Sequence, residues 1–202
     1  MNTYTGYIKI SLVIFFITVF GFNAKSQEVF LSLKGGASDL YVLDGYNKQN
    51  WGTNWGFGAM YMIKDSVVGL EVQGLVHIMS GPEYNNDAFI IPALLKFNLD
   101  YNVLIQFECG AYYERFTRLT DNNPNASFSQ SHDIGGIVGL NYMYPLSPKL
   151  LVGAEFDYLH GFNKPITATL PNTNAGSSGT VTGSYNLMFF LMNLQLVYHI
   201  GY

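Results

Sequence analysis

Between Tyr185 and Tyr202 every second residue is apolar or aromatic. Phe190, Met192, Leu194, Leu196, Tyr198, Ile200 and Tyr202 form one row, and Phe189, Leu191, Asn193, Gln195, Val197, His199 and Gly201 form the other, which turns polar towards the C-terminus. A period of two is that of a β-strand with a different environment on each face. Ordinary strands run to about five or six residues, so a strand of this length has little use inside a small soluble core. It suits a tilted strand that crosses hydrocarbon in roughly 10 residues and projects beyond it.

Seven further stretches carry the same alternation: Glu28–Gly36, Thr53–Ile63, Val67–Met79, Ala88–Leu99, Tyr101–Phe116, His132–Tyr144 and Lys149–His160. The clearest is Tyr101–Phe116, where Val103, Ile105, Phe107, Cys109, Ala111 and Tyr113 oppose Leu104, Gln106, Glu108, Gly110, Tyr112 and Glu114. Pro92 interrupts the fourth strand and marks a bulge or a rim, because proline removes a ladder donor. The connections alternate long and short: Ser38–Asn50, Lys64–Ser66, Ser80–Asp87, Asp100, Thr117–Ser131, Pro145–Pro148 and Gly161–Gly183. That rhythm predicts an all-β, closed, eight-stranded antiparallel transmembrane barrel, with short periplasmic turns, long extracellular loops and both termini periplasmic.

The charges sharpen this reading. Lys34, Glu71, Lys96, Glu108, Glu155 and Asp157 all fall opposite the aromatic and β-branched rows. A soluble ligand-carrying barrel would show the inverse, an apolar cavity and a charged exterior. Eight strands leave room inside for side chains, so the six residues are expected to form a polar network in a filled lumen, the two lysines pairing with some of the carboxylates. Trp55, Tyr61, Tyr101, Tyr113, Tyr142, Tyr144, Tyr158, Tyr198 and Tyr202 read as membrane-interface anchors.

Only 12% of the residues are charged, whereas 15 are Tyr and 15 Phe, which fits a lipid-facing surface better than a wet one. The start of the chain is different. Lys9 precedes the apolar run Ile10–Phe22, and Ala24-Lys25-Ser26 offers a small-x-small cleavage site. The run falls short of a membrane-spanning helix, so residues 1–26 are expected to be a cleaved signal peptide and 27–202 the barrel domain. Without that segment, eight basic residues face fourteen acidic ones, a net charge of −6. Such a balance argues against nucleic acid as a partner. Cys109 is the only cysteine, which excludes an internal disulfide.

Taken together, the sequence resembles the small outer-membrane β-barrel families of the OmpA/OmpX-like and PorT-like types found in Bacteroidetes-type bacteria. The residues that carry the resemblance are Asn23-Ala24-Lys25-Ser26-Gln27, the first strand Val29-Phe30-Leu31-Ser32-Leu33-Lys34-Gly35-Gly36, Trp55-Gly56-Phe57-Gly58, and the aromatic-ended strand Asn193–Tyr202. The resemblance implies a place in the cell outer membrane among its lipids and lipopolysaccharide. It also implies that Tyr198, Ile200 and Tyr202 form a signal read by the barrel-assembly machinery. Members do different jobs, so the resemblance does not assign one.

Three functions are compatible with the residues. The first is a non-enzymatic barrel acting through its loops in surface interaction, binding of an extracellular ligand or envelope protein, or envelope integrity; its candidates are Asn85-Asn86-Asp87, Asp121-Asn122-Asn123 and Thr167–Ser184. The second is a narrow pore, with Gly56, Gly58, Gly69, Gly135, Gly139 and Gly153 leaving space beside Glu71, Glu108, Glu155 and Asp157. The third is a lipid-modifying enzyme, a lipid A deacylase type built from Ser, His and a carboxylate at the outer end, where His77 with Ser80 and His132 with Ser131 and Asp133 are the available groups. No motif supports a catalytic assignment, no loop has calcium-site spacing, and no cofactor is expected.

Overall fold

The computed structural model describes residues 27–42, 49–63, 67–80, 84–99, 104–121, 126–128, 131–171 and 180–200. The expected signal peptide and the end of the chain at Gly201 and Tyr202 lie outside them. Eight long strands form the wall: β1 (Gln27–Val42), β2 (Gln49–Ile63), β3 (Val68–Ser80), β4 (Tyr84–Asn98), β5 (Leu104–Asp121), β7 (His132–Ser147), β8 (Leu150–Gly161) and β11 (Leu187–Ile200). Each pairs antiparallel with its neighbours, and β1 closes the barrel against β11, with Leu33 opposite Leu196. The remaining strands, β6 (Ala126–Phe128), β9 (Ile166–Pro171) and β10 (Thr180–Tyr185), form a separate three-stranded sheet in the order β10-β9-β6.

Period-two alternation decides which residues face where. On β11, Leu187, Phe189, Leu191, Asn193, Gln195 and Val197 are buried, and Phe190, Met192, Leu194, Leu196, Tyr198 and Ile200 are exposed. The exterior is apolar to a degree no aqueous surface would sustain: Leu33 is 63% exposed, Phe57 67% and Leu194 71%. Exposed apolar area on this scale needs a non-aqueous surrounding, and an apolar belt round a closed sheet is the surface of a membrane-spanning barrel.

The strands are longer than the alternation alone indicates. β1 continues through Ser38 to Val42, β2 begins at Gln49, β4 begins at Tyr84 and so contains Asn85-Asn86-Asp87, and β5 runs on to Asp121. The Gly161–Gly183 connection contains the β9–β10 hairpin, with Thr182 opposite Thr169. Beyond a membrane both faces of a strand can be polar, so most of these extensions carry no apolar row to reveal them; β1 differs, because Leu40 turns inward into the lumen's apolar cluster. Pro92 marks neither a bulge nor a rim. It is buried mid-wall opposite Tyr112 on β5, while the ladder to β3 stops at Ala93 and resumes at Ile90. Register shifts on this strand at Asp87/Ala88 instead.

The lumen is layered. A small apolar cluster of Phe30, Met60, Met62, Met143, Leu151 and Val197 fills the end at which β1 begins and β11 finishes. A larger one, which includes Leu40, Met79, Ile90, Phe116, Leu159 and Phe189, fills the half beneath the long connections. Buried Lys34, Glu71, Lys96, Glu108 and Glu155 lie between them.

Candidate functional site

Five of the six lumen residues meet in that middle layer. Lys34 comes from β1, Glu71 from β3, Lys96 from β4, Glu108 from β5 and Glu155 from β8, each at an inward position of its strand. Lys34 Nζ lies 2.5 Å from Glu155 Oε2 and 3.0 Å from Glu71 Oε1. Lys96 Nζ lies 2.5 Å from Glu71 Oε2, 2.6 Å from Glu108 Oε2 and 3.1 Å from Glu155 Oε2. Both ammonium groups thus bridge carboxylates from opposite sides of the barrel, and the closed sheet holds them at that spacing. The three glutamates offer oxygens within 4.8 Å of one another, but with two lysines among them the cluster is already neutralised to within one charge and has no vacancy for a metal.

Asp157 is not joined to either lysine. It is buried beside Glu108, and its Oδ1 occupies the space where a Cβ on Gly139 would stand. Glu108 approaches the same glycine from the other side: a Cβ there would stand 2.8 Å from Glu108 Oε1 and collide with Asp157 Oδ1. The lumen glycine that allows a pore reading is therefore filled by carboxylate heads.

Neutral side chains complete the layer, and their inward positions are the only sequence signal for them. Ser32 Oγ donates to Glu71 Oε1 at 3.4 Å, Gln73 Nε2 to Glu155 Oε2 at 3.4 Å, and Asn193 Nδ2 to Glu155 Oε1 at 3.5 Å. On the side nearer the small apolar cluster runs a chain of amides. Gln195 Nε2 donates to Asn141 Oδ1 at 2.5 Å, Asn141 Nδ2 to Gln106 Oε1 at 3.0 Å, and Gln106 Nε2 to Asn98 Oδ1 at 2.7 Å. The cavity beside the lysines, lined by Ser32, Glu71, Lys96, Asn141 and Gln195 among others, measures about 10 Å³, room for one water at most.

The groups considered for nucleophilic chemistry are not assembled. Strand alternation turns His132 outward, where it stacks on Tyr113 at 6.1 Å, and Asp133 inward. His77 points into the lumen with its Nε2 2.7 Å from Ser38 Oγ, while Ser80 is exposed and accepts from Arg118 at 3.3 Å. The His77 Nδ1 atom has no partner, and Ser38 and His77 are both sealed from solvent. A Ser–His contact with no orienting carboxylate and no access to substrate is not a hydrolytic centre. Of the proposed terminal-strand signal, Tyr198 and Ile200 are exposed on the outer face, and Tyr202 lies outside the described residues.

No family model matches the sequence, and no curated protein matches it. Solved structures do. A major outer membrane protein from Thermus thermophilus aligns with a TM-score of 0.53 at 12% identity, over 85% of this chain and 99% of that one. The N-terminal β-barrel domain of Pseudomonas aeruginosa OprF aligns with a TM-score of 0.50 at 11% identity, over 88% and 100%. The chain has the fold of an outer-membrane β-barrel. In this fold the lumen of a small barrel is a packed interior, which is the condition of the charged layer described above.

Proposed function

We propose that the protein is a non-enzymatic barrel of a bacterial outer membrane that acts through its outer face, as a surface-interaction or binding element on a rigid membrane mount. The observation that carries this reading is the sealed lumen. Among the described residues the charge layer is flanked by an apolar cluster on either side and encloses a cavity of only about 10 Å³, which disfavours a route for solutes. What remains for function is the surface, and at the end of the long connections the chain builds an ordered three-stranded sheet from two different loops. Binding residues carried by loops on a rigid sheet are a common division of labour.

The rest of the reading follows from that placement. The long connections face outward and both termini face the periplasm, after removal of residues 1–26. Outer-membrane lipids and lipopolysaccharide surround the apolar belt, and Tyr198, Ile200 and Tyr202 serve the assembly machinery. The finer affiliation is with OmpA/OmpX-like or PorT-like barrels of Bacteroidetes-type bacteria, resting on Val29–Gly36 and Trp55-Gly56-Phe57-Gly58.

Two measurements test the reading. In a planar bilayer the purified barrel is expected to leave the membrane at its baseline conductance; reproducible single-channel steps would establish a pore instead. In the native envelope, a photo-crosslinker at Thr180 in the β9–β10 hairpin is expected to capture a discrete partner that one at Ser147, on the opposite end, does not. Capture of the same species from both positions, or from neither, would remove the outer face as the working surface.

A further inference from the structure

In one sector of the wall the charges divide by face. On β5, β7 and β8 the acidic side chains Glu108, Glu114, Asp133, Glu155 and Asp157 all turn inward. Arg115 and His132 turn outward, so among the described side chains this part of the outer face carries basic groups and no carboxylate. Arg115 and His132 are direct cross-strand partners and form the last pair of the β5–β7 ladder. Arg118 nearby is neutralised by Asp87 at 2.9 Å, whereas Arg115 is exposed and meets no carboxylate among the described residues.

The pair stands where the apolar belt ends. Two residues nearer the middle of the wall, about 7 Å along the strands, Ile91, Tyr113 and Ile134 lie side by side, each exposed by 39% or more. Beyond the pair come Thr117 and Ser131, both exposed and polar. A cation at this boundary lies at headgroup height, where charge on the outer wall costs little. The Tyr113 ring stacks on His132 at 6.1 Å and fixes it beside Arg115. Below the pair the wall is hollow. Gly136 gives β7 no side chain on its outer face, and a depression of about 440 Å³ opens there, lined by Cys109, Val138, Tyr158 and His160 among others. That volume lies in the range of small-molecule pockets. Its far side is held in place: Tyr158 donates to Met188 Sδ at 2.8 Å, packs on Phe190 at 5.2 Å and has its hydroxyl 3.3 Å from His160 Nδ1.

We propose that the outer wall of β5, β7 and β8 binds one phosphorylated glycolipid of the outer leaflet, with a phosphate on Arg115 and His132 and an acyl chain in the trough over Gly136. An apolar trough open to the membrane takes an acyl chain, and the cation at its head end selects a lipid with an anionic headgroup. The guanidinium offers paired donors to phosphate, and the imidazole adds another from the neighbouring strand. Two basic groups side by side suit the three free oxygens and near-double charge of a phosphate monoester better than the singly charged diester of a glycerophospholipid. The site rests on the outward direction of the long connections proposed above. Bilayer conductance and crosslinking test that reading, and lipid retention in micelles tests the site independently.

The test uses the whole barrel folded in detergent micelles, native mass spectrometry as the readout and lipid A bearing both its phosphates as the probe. One lipid A per barrel is expected to stay bound. Arg115→Gln and His132→Gln should each weaken its binding by about tenfold, the loss of one charge-assisted contact. Gly136→Val, which fills the trough and keeps both basic groups, should weaken it to a similar degree. All three positions face outward, so the packed lumen is undisturbed and the variants are expected to fold. Lys149→Gln, at an exposed turn on the opposite end, should change nothing. Phosphatidylglycerol should be retained less than lipid A, and inorganic phosphate should not displace the lipid. Any of five results would overturn the proposal: no retained lipid A, binding unchanged in any of the three outward variants, an equal loss in Lys149→Gln, equal retention of phosphatidylglycerol, or displacement by inorganic phosphate alone.

Discussion

Lys96 is the residue on which the middle of the barrel turns. It touches three carboxylates from three strands at 2.5 to 3.1 Å and is almost fully buried. Removing one member of a buried ion network leaves the others uncompensated, at a cost of about 3–5 kcal/mol. Lys96→Met is therefore expected to destabilise the folded barrel by that order in a denaturant titration. The double variant Lys96→Met with Glu108→Gln should recover part of the loss, since it removes one stranded charge along with the lysine; a double variant worse than the single one would show that Glu108 is not a partner that matters. The inward placement of all five members of the network was legible from alternation. That Asp157 is left out of it was not, because pairing depends on how far each side chain reaches across the lumen rather than on which face it occupies.

At the scale of a strand, the two faces of β11 obey opposite rules. Leu194 sits in the middle of the outer row, 71% exposed, and its neighbour Gln195 turns inward to Asn141. Leu194→Arg is expected to cost about 2–4 kcal/mol for folding into lipid vesicles, the penalty of a charge near the midplane of a barrel wall. Ser131→Arg, at an exposed position just before β7, should change stability by less than about 0.5 kcal/mol. Equal effects at the two positions would mean that the apolar belt does not face lipid. The same contrast explains where the strand ends were hard to read. Inside the belt one face must be apolar, so the period is visible; above it the chain of β4 and β5 can be polar on both sides, so Tyr84–Asp87 and Thr117–Asp121 look like loop while pairing as strand, and Ser38–Val42 does so because its alternation covers only a few residues beyond the double glycine Gly35-Gly36.

For the molecule as a whole, the wall and the outer sheet are separable. β11 pairs with β8 from Met188 opposite His160 onward, and among the described residues β10 pairs with β9, and β9 with β10 and β6. Replacing residues 166–185 by a short Gly-Ser turn is therefore expected to leave a folded, heat-modifiable barrel with its strand circular dichroism intact, while removing the crosslink from the hairpin. Loss of folding would show that the outer sheet helps to hold the wall closed.

The sequence by itself determined the number of wall strands, their all-antiparallel order and the side on which the wall residues lie, because a closed sheet in lipid imposes a strict period of two and a long-short rhythm of connections on any chain that forms it; the outer sheet of β6, β9 and β10 it left as loop. Only the tertiary structure decided what the inward residues do to one another. Lys34 and Lys96 gather Glu71, Glu108 and Glu155 into a plug, Asp157 stands beside it, and Glu114 meets Asp133 and Tyr112 at the loop end. Those groupings depend on barrel register, which brings together residues far apart in the chain, and nothing local in the sequence encodes it.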